Sequence, residues 1–439
     1  MASVSPTITF DSLSDARFSR LDDWLAWQEG LHFTAIDLGL DRCRQVAEKM
    51  GLLQFDFKVI SVAGTNGKGS SVTMLDMILR RSGYATGKYT SPHLLRYNER
   101  VCVNGEEAQS ELLCQSFDRI DKARGDTSLT YFEFGTLAAL DIFQQSNVDI
   151  VIMEVGLGGR LDAVNILDAD LALVTSLDID HERWLGSDRE SVAREKAGIF
   201  RKGKPAVCSD PNPPSSIIDH AKKIGTTLEL LHEDYQYEID GEHWNWQSES
   251  REYRDLAVPG PVDTYQVQNA AGVLKLLQHL GDDFPVTDEA IATSMQDFHL
   301  NGRFQHIPGE VSYVLDVAHN RQAASMLIDN LEKLPPAAST HCVVGMLKDK
   351  NHENVFRELT QVVDNWYLSE LDSDRAAQAE DLNKTLSSLQ SEGAVSSVFA
   401  TVFEALDAAS SRAKAGDRIV ITGSFLTVKA GLVWLGLDR

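Results

Sequence analysis

The chain has 439 residues, 43% of them hydrophobic and 24% charged, with a net charge of −24. That length exceeds one ordinary core and predicts two domains of a globular protein. So acidic a chain is a poor binder of nucleic acid or anionic membrane, and any anionic substrate has to be drawn in by a local positive site.

No run approaches the roughly 18 apolar residues of a membrane span. The N-terminus lacks the basic start and apolar core of a secretory signal. The five cysteines (Cys43, Cys102, Cys114, Cys208, Cys342) form no CxxC pair, which fits unpaired thiols in a reducing cytoplasm.

Residues 58–63, KVISVA, read as a short buried strand. The loop GTNGKGS (64–70) follows, and then SSVTMLDMILRRSG, where Val72, Leu75, Ile78 and Leu79 recur at helical spacing and Gly83 can close the helix. FEFGTLAALDIFQQ is helical, while VDIVIMEVGLGG (148–159) and DLALVTSLDID (170–180) are two more apolar strands ending in polar or glycine-rich loops. This is the rhythm of a parallel sheet with helices on both faces. Residues 211–260, opened by PNPP and closed by VPGP, break the rhythm and read as an excursion of small strands. TYQVQNAAGVLKLLQHLG and VTDEAIATSMQDF are helices. After LNGRFQHIP (300–308), five strands alternate with helices: VSYVLDVA, HCVVGML, NWYLSEL, VSSVFAT and RIVITGS.

The expected fold is therefore α/β in two domains. Residues 1–298 form an N-terminal, P-loop-type, mainly parallel sheet with a small β excursion. Residues 299–439 form a smaller, Rossmann-like α/β domain. Ligands of open α/β sheets bind at the carboxyl ends of the strands, where several polar clusters of this sequence fall.

The loop VAGTNGKGSS breaks the usual phosphate-loop pattern. Val62 stands where the first glycine would fall, and Gly69 follows the lysine where a hydroxyl would. A phosphate loop nevertheless works through backbone N–H groups and a helix N-terminus. Gly64, Gly67 and Gly69 clear side chains from the approach of phosphate oxygens, Lys68 supplies a charge, and Ser70 or Ser71 offers a hydroxyl. Thr65 and Asn66 complete the loop. The plainer reading is an ordinary glycine turn. Glu154, at the end of a buried strand, suits a hard cation such as Mg²⁺.

GTNGKGS resembles the nucleotide loop of the Mur ligase superfamily and, more narrowly, that of the folylpolyglutamate synthase/dihydrofolate synthase family. Seven further segments are similar to that family in the expected order: TSPHLLRYNERVCVNG (90–105), LTYFEFGTLAAL (129–140), EVGLGGRLDAVN (154–165), DHERWLG (180–186), REKAGIFR (194–201), NGRFQ (301–305) and DVAHN (316–320). The resemblance covers nearly the whole chain.

It implies an ATP-dependent amide-forming ligase in which Ser91, Glu154 and His181 hold magnesium, two ions, with ATP phosphate oxygens. Taken alone, His181 is equally a polar loop residue. Lys196, expected near a helix start, would be carbamylated by CO₂; its plainer reading is a solvated lysine. Arg303, at the domain junction, would reach the γ-phosphate, and Asn269 would lie near the adenine. Asp316 and His319 would lie near the nucleotide and the incoming glutamate, with Ser424 also facing glutamate; the plainer reading of Asp316 is a loop cap. AIDLGLDR (35–42) and LTYFEFGT resemble the bifunctional bacterial form, where Thr130, Phe132 and Asp162 would hold the pterin. Phe132 is otherwise a core aromatic. Lys68, Lys196, Arg303 and His319 are the expected catalytic residues. One departure is Arg321, which follows DVAHN where the family commonly has proline; it would loosen the loop or add a cation near glutamate.

The implied partners are dihydropteroate, reduced folates, L-glutamate and ATP, handled by a cytoplasmic monomer. A single-activity folylpolyglutamate synthase, a Mur-type ligase of cell-wall precursors, and a nucleotide-dependent switch using the same loop are the alternatives.

Overall fold

The computed structural model describes residues 16–260, 264–389 and 395–438. The reading of the extreme N-terminus falls mostly on residues 1–15, outside the described residues. The chain divides into two compact units, one of residues 1–258 with 266–297 and one of residues 259–265 with 298–439.

The first unit is built on an eight-stranded sheet. In chain order its strands are β1 (Lys58–Ala63), β2 (Thr86–Tyr89), β3 (Val101–Val103), β4 (Glu106–Glu107), β5 (Ile150–Glu154), β6 (Leu171–Val174), β7 (Pro205–Cys208) and β8 (Thr227–Leu230). In space they run β4-β3-β2-β5-β1-β6-β7-β8. From β2 to β8 every pairing is parallel, and only β3 and β4 run antiparallel at the edge. Strands buried on both faces need continuous apolar runs, and β5 and β6 are buried along their whole length. Helix Lys68–Arg81 buries Val72, Leu75, Ile78 and Leu79, and Gly83 follows its cap with φ 97°. Helix Tyr131–Gln145 buries Phe134, Leu137, Ile142 and Phe143 in the core beside Val151 and Met153.

The reading of 211–260 as small strands alone is corrected. PNPP leads into helix Ser215–Ile224, whose N-cap is Pro214, and β8 then extends the parallel sheet. Proline sets the entry angle of a helix as readily as it breaks one, so PNPP did not mark the end of the βα rhythm. Only β9 (Tyr235–Asp240), β10 (His243–Ser248) and β11 (Glu252–Ala257) form the separate antiparallel sheet.

The second unit carries β12 (Gln305–Ile307), β13 (Ser312–Leu315), β14 (Thr340–Val344), β15 (Asn365–Ser369), β16 (Val395–Phe399) and β17 (Arg418–Thr422), ordered β12-β13-β17-β14-β15-β16. Five strands are parallel, as expected; β12 adds an antiparallel edge that three residues of sequence did not announce. No helix among the described residues is long and apolar enough to cross a membrane.

Candidate active site

Four neighbouring parallel strands, β2-β5-β1-β6, end on one edge of the first unit's sheet. The segments that leave them carry most of the expected nucleotide and metal residues: Ser91 after β2, Glu154 ending β5, the loop 64–70 after β1, and Thr175 to His181 after β6.

The loop is held from outside itself. Thr65 N–H donates to Ser176 O at 2.7 Å, and its hydroxyl donates to Asp178 O at 2.8 Å. Asn66 N–H donates to Ser176 Oγ, and the hydroxyls of Thr175 and Ser176 donate back to Asn66 O. Gly64 has φ 154°, and a Cβ there would stand 1.7 Å from Thr175 Oγ1. Gly67 caps the helix with φ 88°, and a Cβ there would stand 2.2 Å from Asn269 Oδ1. Both positions therefore demand glycine. Gly69 differs: a Cβ there would meet Glu154 Oε2 at an ordinary 3.6 Å. Ser70 and Ser71 are buried in the first helical turn. Thr175 and Ser176 were missed by the sequence reading, since a polar pair after a strand carries no pattern.

Two amines meet one carbonyl. Lys68 Nζ donates to Gly64 O at 3.0 Å and to Thr65 O at 3.1 Å, and Lys196 Nζ donates to Gly64 O at 2.7 Å. Lys196 is the last residue of helix Arg189–Lys196, not near a helix start, and it is buried rather than solvated. The mistaken end arose because EKAG continues as the 3₁₀ turn Ala197–Ile199 without a break in pattern. Burial first, and the charge of Lys68 second, pull the Lys196 amine down to about 7.

Glu154 is buried and accepts Ser91 N–H at 3.0 Å. His181, half-buried with φ 52°, donates its backbone N–H to Asp180 Oδ1 at 2.7 Å. Among the described residues no three His, Cys, Asp or Glu side chains converge as a metal cluster. One carboxylate with a hydroxyl and an imidazole, carried at the ends of β5, β2 and β6 on one edge of the sheet, fits a cation that takes its remaining ligands from phosphate and water.

Asp162 accepts N–H groups of Leu157 and Val164 at 2.8 and 3.0 Å, and burial raises its carboxyl to about 7 against those bonds and Lys68. Phe132 is half-buried, its ring against Gly156 and 5.9 Å from Tyr89. Thr130 is the N-cap of helix Tyr131–Gln145, in a capping box with Glu133 whose carboxylate also receives Arg42. Asn269, on helix Thr264–Leu277, is buried against Gln266 and the Gly67 turn.

In the second unit, the remaining residues gather at the carboxyl ends of β13 and β17. Arg303 lies 5.0 Å over the ring of Phe425, and the His319 ring is 6.3 Å from that same ring. Phe425 is a second residue that the sequence reading missed. Asp316 accepts N–H from Phe304 at 2.7 Å and from Ala318 at 2.8 Å, holding Phe304 at φ 44°. His319 Nδ1 is 2.8 Å from Val317 O. A carbonyl only accepts, so Nδ1 carries hydrogen and Nε2 is the basic atom of the neutral ring. Ser424 caps helix Phe425–Trp434 and is buried. Arg321 begins helix Arg321–Leu331, which Asn320 caps, and its guanidinium pairs with Glu358 at 2.9 Å. The loop before it is thus anchored without proline.

The Mur ligase middle domain matches residues 62–258, and the Mur ligase glutamate ligase domain matches residues 302–425. The chain is 43% identical over 410 residues to the dihydrofolate synthase/folylpolyglutamate synthase of Escherichia coli (strain K12), spanning 93% of this chain and 94% of that protein. The structure of E. coli FolC in complex with DHPP and ADP is similar with a TM-score of 0.90 at 42% identity, covering 96% of this chain and 99% of that one. A bifunctional folylpolyglutamate synthase/dihydrofolate synthase with Mn, AMPPNP and L-glutamate bound is similar with a TM-score of 0.88 at 41% identity, covering 98% and 100%.

Proposed function

The chain belongs to the dihydrofolate synthase/folylpolyglutamate synthase family of Mur ligases, and from that membership we infer its reaction. It joins L-glutamate to 7,8-dihydropteroate, giving dihydrofolate, and to the γ-carboxylate of reduced folates, giving polyglutamates. The observation that carries this reading is the pair of lysines on Gly64 O, in the loop whose Gly69 faces the Glu154 carboxylate.

A carboxylate cannot be amidated directly at neutral pH because hydroxide is a poor leaving group. The acceptor carboxylate attacks the γ-phosphorus of ATP, the bond to ADP breaks, and an acyl phosphate forms. The glutamate amine attacks the acyl carbon, the amide forms, phosphate leaves, and the amine gives up a proton. Positioning and charge stabilisation are the protein's contribution.

The N–H groups of the loop 64–70 cradle the phosphates, and Lys68 turns from Gly64 O to their charge. Ser91, Glu154 and His181 would hold magnesium, two ions, which would offset the phosphate charge. Carbamylated Lys196 supplies an anion beside them, supported by an amine that is half neutral at pH 7. Arg303 carries a guanidinium to the γ-phosphate, Asn269 borders the adenine, and Asp316 orders the loop there. His319, through Nε2, receives the amine proton, and Ser424 faces the glutamate. Thr130, Phe132 and Asp162 hold the pterin, Phe132 by its face and Asp162 by hydrogen bonds. Residues 1–298 bind nucleotide and acceptor, and 299–439 bind glutamate. The working unit is a monomer in the cytoplasm, where five free, buried cysteines are at home.

The test is phosphate release from ATP and Mg²⁺ with L-glutamate, run with dihydropteroate, with tetrahydrofolate and with neither. Release with each acceptor, and amide products by mass, is expected. Release with tetrahydrofolate alone reduces the protein to a polyglutamate synthase. Release without any acceptor overturns the ligase.

A further inference from the structure

Arg100 is a buried cation without an acid. It ends the 3₁₀ turn Tyr97–Arg100 between β2 and β3 and is 8% exposed. Its Nε donates to His93 Nδ1 at 2.9 Å, and the guanidinium lies 5.3 Å from the Tyr97 ring centroid and 5.4 Å from that of Tyr131. The adjacent Glu99 is engaged elsewhere, since its carboxylate accepts the N–H groups of Leu94, Leu95 and Arg96 at 2.7, 2.7 and 2.6 Å. Among the described residues no carboxylate pairs with Arg100, and neither terminal nitrogen is sealed from solvent.

Buried charges are ordinarily paired, because losing water is costly. The two aromatic faces recover part of that cost for a guanidinium. What they leave open is the planar fork, whose geometry matches a carboxylate.

The surroundings say which carboxylate. Arg100 O accepts Thr90 N–H at 2.9 Å, and the next residue, Ser91, is the one bonded to Glu154. Tyr131 stands between Thr130 and Phe132 at a helix N-terminus. The guanidinium thus lies where the acceptor is expected, on the phosphate edge of the sheet. Dihydropteroate has a single carboxylate, which is the nucleophile. The terminal glutamyl group of a reduced folate has two, of which the γ reacts and the α does not. A bidentate guanidinium on the reacting carboxylate would withdraw the electron density that attack requires. The fork therefore suits the carboxylate that does not react.

We propose that Arg100 binds the α-carboxylate of the terminal glutamyl residue of reduced-folate acceptors, which makes it a specificity residue for polyglutamate extension. The proposal rests on the ligase reading above. Tyr97, Tyr131 and His93 fix the plane of the guanidinium, and the incoming carboxylate replaces water at its two terminal nitrogens.

The test compares Arg100→Gln and Arg100→Lys with the wild type on both acceptors. With Arg100→Gln, the KM for tetrahydrofolate should rise roughly 30-fold, as for loss of a charge-assisted bidentate pair. Its kcat/KM for dihydropteroate should stay within about threefold. Arg100→Lys should recover only part of the loss, since an ammonium cannot make the paired bonds. The ratio of the two kcat/KM values is independent of how much variant folds.

A second measurement needs no variant: tetrahydropteroyl-γ-aminobutyrate keeps the reacting carboxylate and lacks the α one. The wild type should lose a similar factor on it. Equal losses on both acceptors, no loss on tetrahydrofolate, or an analogue used as well as tetrahydrofolate overturns the proposal. Failure of the ligase reading is separate, since the wild type would then release phosphate with no acceptor present.

Discussion

Replacing Lys196 by methionine removes a buried amine and keeps most of its volume. An ordinary lysine, at 10.5, is neutral at pH 7 in about one molecule in three thousand; one pulled to about 7 is neutral in about half. Carbamate formation uses the neutral form: nitrogen bonds to the CO₂ carbon, and an N–H proton leaves to solvent. Burial beside Lys68 thus enriches the reactive form roughly a thousandfold. Phosphate release by the wild type should fall roughly 100-fold in CO₂-depleted buffer and return with bicarbonate, whereas Lys196→Met should be low in both. Intact mass should show one added CO₂ on the wild type alone. Wild-type activity should rise from about pH 6 to 8 as the amine loses its proton.

The stability signs follow from linkage. The folded value of Lys196 lies below the unfolded one, so between about pH 7 and 10.5 the unfolded chain binds more protons and stability rises with pH. The variant should lose that rise. Asp162 acts oppositely: its folded value is raised, so from pH 3.8 to about 7 stability falls as pH rises. A wild type indifferent to CO₂ and unmodified in mass, or a fully active methionine variant, would refute the reasoning.

Gly64→Ala should abolish nucleotide binding by calorimetry and lower the melting temperature, since Thr175 cannot yield the space that a 1.7 Å approach demands. Glu154→Gln should leave the fold intact by circular dichroism but raise the Mg²⁺ needed for half-maximal activity about tenfold or more. Arg321→Pro should change stability by less than about 0.5 kcal/mol in urea titration, because it exchanges an exposed ion pair for a proline suited to the first helical position.

Much of the architecture was legible because parallel strands buried on both faces must be continuously apolar. KVISVA is β1 residue for residue, and the five strands of the second unit all appear. Local pattern failed where the same residues serve two ends: PNPP opens a helix, and Lys196 closes one. The glycine loop announced itself because backbone approach to phosphate needs glycine. The polar pair Thr175-Ser176 did not, because its importance comes from β6 lying beside β1, a fact of topology. Arg100 stayed hidden for a related reason. It sits in a charged run, RYNER, and only the three backbone bonds to Glu99 reveal that the neighbouring acid is unavailable to it.

The space beside Gly69 bears on how such loops diverge. Packing at Gly64 and Gly67 forbids any side chain, but at Gly69 a Cβ would find Glu154 at a contact distance that proteins commonly tolerate. A single exchange, Gly69→Ser, would therefore restore the hydroxyl that follows lysine in the commoner phosphate loop without disturbing the scaffold.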